Sequence, residues 1–462
     1  MGIRVDTLVE TRCGLRMADI ISALSFALDL TEGQPMGHSV NSCLIGMSIA
    51  RTLQLPRQDQ QDLFFALLLK DVGCSSNASR MFEIFGGDDL KAKREVKSTD
   101  WSRVTFDGLQ YLLRNVMPGK SAFERILTMA NIVKNRDKQT QELIETRCNR
   151  GASIAKRLGF PSRVSHAIHC LDEHWNGKGY PDGQRGQEIP LFARIMNLSQ
   201  TIEVFTALNG AYDAFRVIEQ RSGTWFDPAL VQAALPLEKD EALWTTILNG
   251  AAREHILGIE LECNSVAIDD DAVDSICDAF AEIIDVKSPF THRHSRGVTH
   301  VALLIAERIG LPAAEMPVLR RAALLHDIGK LSVPNSILDK PGKLTAQEWE
   351  TVRLHPYYTQ RILERIAGSH HLAFIASSHH EKLDGSGYFR NLRGAQLPPA
   401  ARALTVADLY DALAAKRPYR DGLPMEKVLE IIGKEVPHAV DESCFQALKE
   451  LIDSGTLPSS AF

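Results

Sequence analysis

Two stretches of this chain repeat one another, and no single-domain fold explains that. MADIISALSFALDLTEGQPMGHSV (17–40) and SICDAFAEIIDVKSPFTHRHSRGV (275–298) share a helical pattern, an acidic turn and a histidine, so that His38 aligns with His294 at an offset of 256. LLLKDVGC (67–74) aligns with ALLHDIGK (323–330) at the same offset, whereas HWNGKGYPDG (174–183) aligns with KLDGSGYFRN (382–391) at 208. The 48-residue difference places an elaboration between Cys74 and Arg147, because Arg147 already aligns with His355 at the shorter offset. The chain therefore reads as two related domains, 1–236 with an insertion between 75 and 146, and 271–462, joined by a short helical linker over 237–270. Strand patterns are scarce, and an all-α fold with helices packed around each site is predicted.

The second copy carries the chemistry. In RRAALLHDIGK (320–330), Ala322, Ala323, Leu324, Leu325 and Ile328 make an apolar stripe at helical spacing, which predicts a helix with His326 and Lys330 on one face. His326 and Asp327 then reach one cation, and Lys330 sits a turn away, where a phosphoryl oxygen needs positive charge. Such a turn alone is better explained by a core histidine beside surface charges. The companions decide the matter: His294 precedes the stripe Val298, Ala302, Ile305 and Ile309, His355 opens HPYYTQRIL, His379 and His380 are paired, and Asp408 lies in ARALTVADLYDALAAK. Five imidazoles and two carboxylates exceed what one tetrahedral ion takes, implying two metal ions with Asp327 as the bridge. No thiolate joins the set, and imidazole with carboxylate suits iron, manganese or zinc.

With VPNSIL (333–338), KPGKLT (340–345), HHEKLDGSGY (379–388) and RPYR (417–420), these residues make the segment 271–436 resemble the HD-GYP domain, the cyclic-dinucleotide phosphodiesterase branch of the HD superfamily. The resemblance implies metal binding by His294, His326, Asp327, His355, His379, His380 and Asp408, with Asp327 and Lys330 catalytic. It further implies substrate contacts from Lys330, Gly387, Tyr388, Arg417 and Arg420, the arginines offering a fixed fork of donors to a phosphate or a guanine edge. Iron or manganese is the expected metal pair, and 3'3'-cyclic GMP-AMP or cyclic di-GMP the expected substrate, opened to a linear dinucleotide and onward to mononucleotides. Phe389 stands where the family has proline, freeing the backbone and offering an aromatic face; the turn is expected to survive because Gly385 and Gly387 supply its angles, and altered base stacking is the alternative. Phe290 stands where some members carry a third-metal glutamate, so two metals are expected.

Of the seven ligand positions, the first copy keeps His38 and Asp71 only. Lys70, Arg147, Leu171, Asp172 and Gln200 occupy the rest, Cys74 replaces the lysine, and Asn209 and Tyr212 fall at the RPYR arginines. An ammonium and a guanidinium in such a cavity oppose cation binding, so this domain is read as inactive, with a structural or regulatory role. Its intact Gly179-Tyr180-Pro181 is then a relic of the fold. A chain with this dead first copy resembles the family's tandem cyclic GMP-AMP phosphodiesterases.

Other polar groups are read as structural. His166, His169, Cys170 and His174 lack complementary ligands nearby, His370 and His371 read as exposed loop residues, and Asp411, one turn after Asp408, either orients a ligand or is a surface charge. A net charge of −6 argues against general nucleic-acid binding. Eight cysteines without a CxxC pair suit reduced thiols, and no run approaches the ~18 apolar residues of a membrane span. A cytoplasmic protein is expected, with a homodimer or signalling proteins as partners besides the substrate. The alternatives are an HD-type phosphohydrolase of another nucleotide, against which GSGY and RPYR speak, and a non-catalytic nucleotide-binding scaffold, against which the complete ligand set speaks.

Overall fold

The computed structural model describes residues 15–85, 87–98, 136–262, 268–289, 293–415 and 421–457. Within them the chain is helical, and pairing between extended segments is limited to isolated bridges. The first half runs α1 (Met17–Thr31), α2 (His38–Thr52), α3 (Arg57–Leu69), α4 (Ala78–Phe85), α5 (Asp89–Ser98), α6 (Arg136–Arg157), α7 (Ser162–His169), α8 (Leu191–Asn209), α9 (Ala211–Gln220) and α10 (Pro228–Ala234). Two connecting helices follow, α11 (Glu241–Leu248) and α12 (Ala252–Glu262). The second half runs α13 (Asp270–Val286), α14 (His294–Arg308), α15 (Met316–Leu325), α16 (Asn335–Leu338), α17 (Ala346–Arg353), α18 (His355–Leu363), α19 (His370–Ser377), α20 (Pro399–Ala414), α21 (Met425–Glu435) and α22 (Glu442–Asp453).

The same backbone devices recur in both halves at the offsets read from the sequence. Asp29 accepts from the amide and hydroxyl of Ser39, and Asp285 does the same for Ser295, which fixes how the helix bearing His38 or His294 starts. A Cβ on Gly73 would lie 2.0 Å from the carbonyl oxygen of Arg147, and one on Gly329 would lie 1.9 Å from that of His355. Only glycine allows that approach, so the turn after Asp71 or Asp327 locks against the next ligand-bearing helix. Glu173 accepts from the amides of Asp182 and Gly183, and Glu381 from those of Arg390 and Leu392, tying down the GKGY and GSGY loops.

The halves are packed reciprocally. Helix α1 lies on the Ile328–Ser332 turn and α18 of the second half, and α13 lies on the Cys74–Asn77 turn of the first. MADIISALSFALDLT is buried nearly all round, as a helix covered on two sides must be. Each buried Leu or Ile in it contributes about 2 kcal/mol. Polar contacts trim the seam: Arg150 and Arg157 both pair with Glu282, Arg365 lies 4.1 Å over the Phe26 ring, and buried Asp89 from the insertion accepts from the Asn335 amide at 2.7 Å. The apolar core accordingly runs from one half into the other.

Two expectations change. The connector is two helices rather than one, because Asp240 caps α11 and a turn at Gly250, φ 70°, ends it before α12 packs back on α1 and α2. The α-helix through HDIGK also stops at Leu325. His326 and Asp327 sit in a turn and Lys330 in the 3-10 turn Ile328–Ser332, where Gly329 presses against the His355 carbonyl. The described part of the insertion holds α4 and α5. Among the described residues, no helix is long and apolar enough to cross a membrane.

Candidate metal centre

His294 begins α14, His326 and Asp327 follow α15, His355 begins α18, His379 and His380 follow α19, and Asp408 lies within α20. Placing ligands at helix ends lets each ring turn inward while its far nitrogen is held by nearby backbone. The Nδ1 atoms of His326, His355 and His379 donate to the carbonyls of Ala323, Val352 and Ala376, each at 2.7 Å. That of His294 donates to Asp411 at 2.5 Å. With Nδ1 protonated, the Nε2 lone pairs of His326, His355 and His379 face the cavity, the tautomer a metal requires.

Asp327 stands between two groups of rings. Its Oδ2 lies 3.4 Å from Nε2 of both His294 and His326, while its Oδ1 lies 3.3 Å from Nε2 of His355 and 3.6 Å from that of His379. Asp408 Oδ1 closes the first group, 3.4 Å from His294 and 3.8 Å from His326, and its Oδ2 faces His380 at 3.8 Å. Nε2 of His355 and His379 meet at 3.1 Å, an apposition of two lone pairs that a cation relieves. Nε2 of His294, Nε2 of His326 and Oδ1 of Asp327 are buried with no hydrogen-bond partner. Orphaned buried acceptors of this kind are costly unless a ligand satisfies them, so the donor set fits bound metal ions.

The charge state agrees. Burial alone would raise the carboxyls of Asp327 and Asp408, but the surrounding rings, and for Asp327 also Lys330, hold both well below the usual carboxylate range. Burial lowers His355, to about 3, and also His379 and His380, leaving these rings neutral. His294 is the exception: burial opposes its charge, yet the carboxylates of Asp327, Asp408 and Asp411 around it raise it well above its ordinary value. Lys330 Nζ donates to Asp327 Oδ2 at 2.5 Å and remains partly exposed.

The loop residues divide. A Cβ on Gly387 would lie 2.6 Å from Glu381 Cα, so this glycine is required by packing, as is Gly179 in the first copy. The Tyr388 ring lies 4.5 Å from that of His380, at the edge of the cluster. Arg417, Arg420 and Phe290 lie outside the described residues. Asp411 is buried and orients His294, and Thr359, whose hydroxyl donates to the His326 carbonyl and accepts from Gly329, had no sequence signal at all. Glu203 occupies the Asp411 position of the first copy and pairs with His38, a correspondence the 208 offset could have exposed.

In the first copy, Lys70 Nζ reaches His38 Nε2 at 3.0 Å and pairs with Asp71, and Arg147 pairs with Asp172. Glu32, Asp71 and Cys74 have ligand atoms within 4.8 Å of one another, but Lys93 and Lys70 flank that group. His174 stacks on Trp225 at 4.1 Å, His169 pairs with Asp182, and Cys170 Sγ reaches Gln184. His370 and His371 are exposed but begin α19 rather than lying in a loop, His371 pairing with Glu315 at 2.8 Å.

Comparison with known proteins matches residues 124–230 and 278–444 to the HD domain family model. A 3'3'-cGAMP-specific phosphodiesterase of Vibrio cholerae is 42% identical over 95% of this chain and 95% of its own length. A cyclic di-GMP phosphodiesterase of Thermotoga maritima is 38% identical over 37% of this chain and 50% of its own. The crystal structure of a cyclic GMP-AMP specific phosphodiesterase from V. cholerae superposes with a TM-score of 0.68 at 38% identity, covering 96% of this chain and 99% of that one.

Proposed function

This chain belongs to the HD-domain family, and on that premise we propose that it is a metal-dependent phosphodiesterase that opens cyclic dinucleotides in its second half, 3'3'-cyclic GMP-AMP foremost. One observation carries the reading: the two oxygens of Asp327 face separate imidazole groups, the arrangement that lets one carboxylate serve two cations. His294, His326 and Asp408 would hold one ion, His355, His379 and His380 the other, with Asp327 shared. When bound, the ions supply Lewis acidity toward a phosphoryl oxygen and toward water. Iron or manganese suits the donors.

The chain's own residues do the rest. The outward Nδ1 hydrogen bonds hold four rings in register before substrate arrives, so little reorganisation is needed at the reacting centre. Lys330, partly exposed and poised on Asp327, offers its ammonium to the negative charge that grows on the phosphoryl group. Tyr388 walls the site beside His380. One ester bond opened yields a linear dinucleotide, and a second yields mononucleotides. The preference for cyclic GMP-AMP over cyclic di-GMP is supported by the near full-length similarity to a phosphodiesterase of that specificity. The first half is proposed to be inactive, since Lys70 and Arg147 bring positive charge to its ligand positions.

Metal-loaded protein incubated with each cyclic dinucleotide, with products separated, tests this. Linear dinucleotide from 3'3'-cyclic GMP-AMP and close to two metals per chain by elemental analysis are expected. Protein that carries metal and opens neither substrate disproves the assignment.

A further inference from the structure

Beside the candidate centre, the second half carries a band of aromatic and cationic side chains that metal binding does not explain. Tyr357, at the start of α18, is 41% exposed, and the adjacent Leu354 is 46% exposed. The Tyr357 ring lies 5.9 Å from Phe389 and 5.5 Å from Tyr358, and the Arg390 guanidinium lies 5.0 Å from the Phe389 ring. Arg353 lies 5.5 Å over Tyr388, which lies 4.5 Å from His380. The band is thus continuous with the candidate ligands, through His380, Tyr388 and Arg353 on one side and Phe389 on the other. Exposed apolar surface of this kind marks a binding site more often than a plain exterior.

The first copy provides an internal control. At the 208 offset, Tyr357, Tyr358, Phe389 and Arg390 correspond to Asn149, Arg150, Pro181 and Asp182, and Arg353 falls opposite Glu145 in the continuous helix α6. Tyr357, Tyr358 and Phe389 all give way to non-aromatic residues and Arg353 and Arg390 to acids, while Tyr388 persists as Tyr180, in the copy that lost its candidate metal ligands. The glycines and glutamates that merely hold the loop persist in both. Tyr357, Arg353 and Arg390 therefore go with the chemistry rather than with the fold, whereas Tyr388 is common to both copies and Phe389 is particular to this one.

We propose that Tyr357 and Phe389, flanked by Arg353 and Arg390, form a stacking shelf for a purine base of the dinucleotide, so that Phe389 in place of proline is a specificity residue. This rests on the cyclic-dinucleotide reading of the adjacent site. A π face next to guanidinium groups binds a purine through stacking and cation–π attraction and is indifferent to the sugar. Proline at 389 would remove one wall of the shelf.

Tyr357→Ala and Phe389→Pro in the full chain, each checked for unchanged metal content, test the proposal with two readouts. Each is expected to raise KM for 3'3'-cyclic GMP-AMP about tenfold with kcat within about twofold. Each should weaken GMP and AMP binding, measured by calorimetry, to a similar degree, while ribose 5-phosphate binds as before. Unchanged nucleotide binding, or equal weakening of ribose 5-phosphate, overturns the shelf even if the wild type hydrolyses the substrate. A shift in oligomeric state with unaltered nucleotide binding also overturns it, making the band an interface between copies. If the wild type opens no dinucleotide but binds GMP better than ribose 5-phosphate through Tyr357, the shelf stands and the substrate assignment falls.

Discussion

The two halves share a scaffold and differ in what fills it. In each, an aspartate holds the start of one helix, a glycine lets a turn press on the next helix, and a carboxylate reaches the first histidine. The second half aims unpaired lone pairs at a common space, and the first closes the same space with Lys70 on Asp71 and Arg147 on Asp172. A buried site of this kind can be neutralised by an internal cation, as in the first half, or would be by an external one, since either offsets the same carboxylates. A metal ion would leave an open face for substrate, whereas side-chain cations are tethered and use the space themselves.

The sharpest way to break this comparison is to make the same substitution in both halves. Asp327→Asn is expected to cut turnover at least about 10³-fold and to lower metal content, with folding retained. Asp71→Asn should leave turnover in place and destabilise the first half by about 3–5 kcal/mol, since it strands buried Lys70. Elemental analysis, steady-state rates and thermal melts separate these outcomes, and loss of metal in Asp71→Asn would show that the first half holds an ion too.

A smaller effect sharpens the outer shell. Asp411→Ala is expected to weaken metal affinity about 10- to 100-fold by freeing the His294 ring. Its counterpart Glu203→Ala should not change metal content. A chelator titration followed by residual activity distinguishes them, and equal behaviour of the pair would contradict separate roles.

The smallest effect concerns acid stability. Stacked against Trp225, His174 is lowered from 6.5 to about 4 by burial and the charge of Arg221. Its folded value lies below its unfolded one, so the unfolded chain binds more protons between these values, and stability falls as pH drops from about 6.5 to 4. The second half has Lys382 at this position. His174→Phe keeps a stacking ring and removes the proton, and should recover about 2 kcal/mol at pH 4 relative to wild type. Identical melting of the two proteins at pH 4 and pH 7.5, relative to each other, would discount this coupling.

Much of the fold was legible because the repeat offsets are properties of the chain: His38 with His294, Gly73 with Gly329, and Glu173 with Glu381 follow from counting. The connector was misjudged because Asp240 and Gly250 break it locally while its apolar residues read as one stripe. Lys330 was placed on a helix because HDIGK has helical spacing, and the tight turn that replaces the helix presses on His355, whose place is set by packing. The role of Asp411 stayed open for the same reason, since His294 lies 117 residues away.

By itself, the sequence determined the repeat, the helical class and the inventory of imidazoles and carboxylates, because spacing governs neighbours within a turn or two. Tertiary structure alone decided which oxygen of Asp327 faces which ring, how α1 and α13 cross between halves, and that Tyr357 meets Phe389. Those contacts join segments distant along the chain, and only the burial of apolar helix faces brings them within reach.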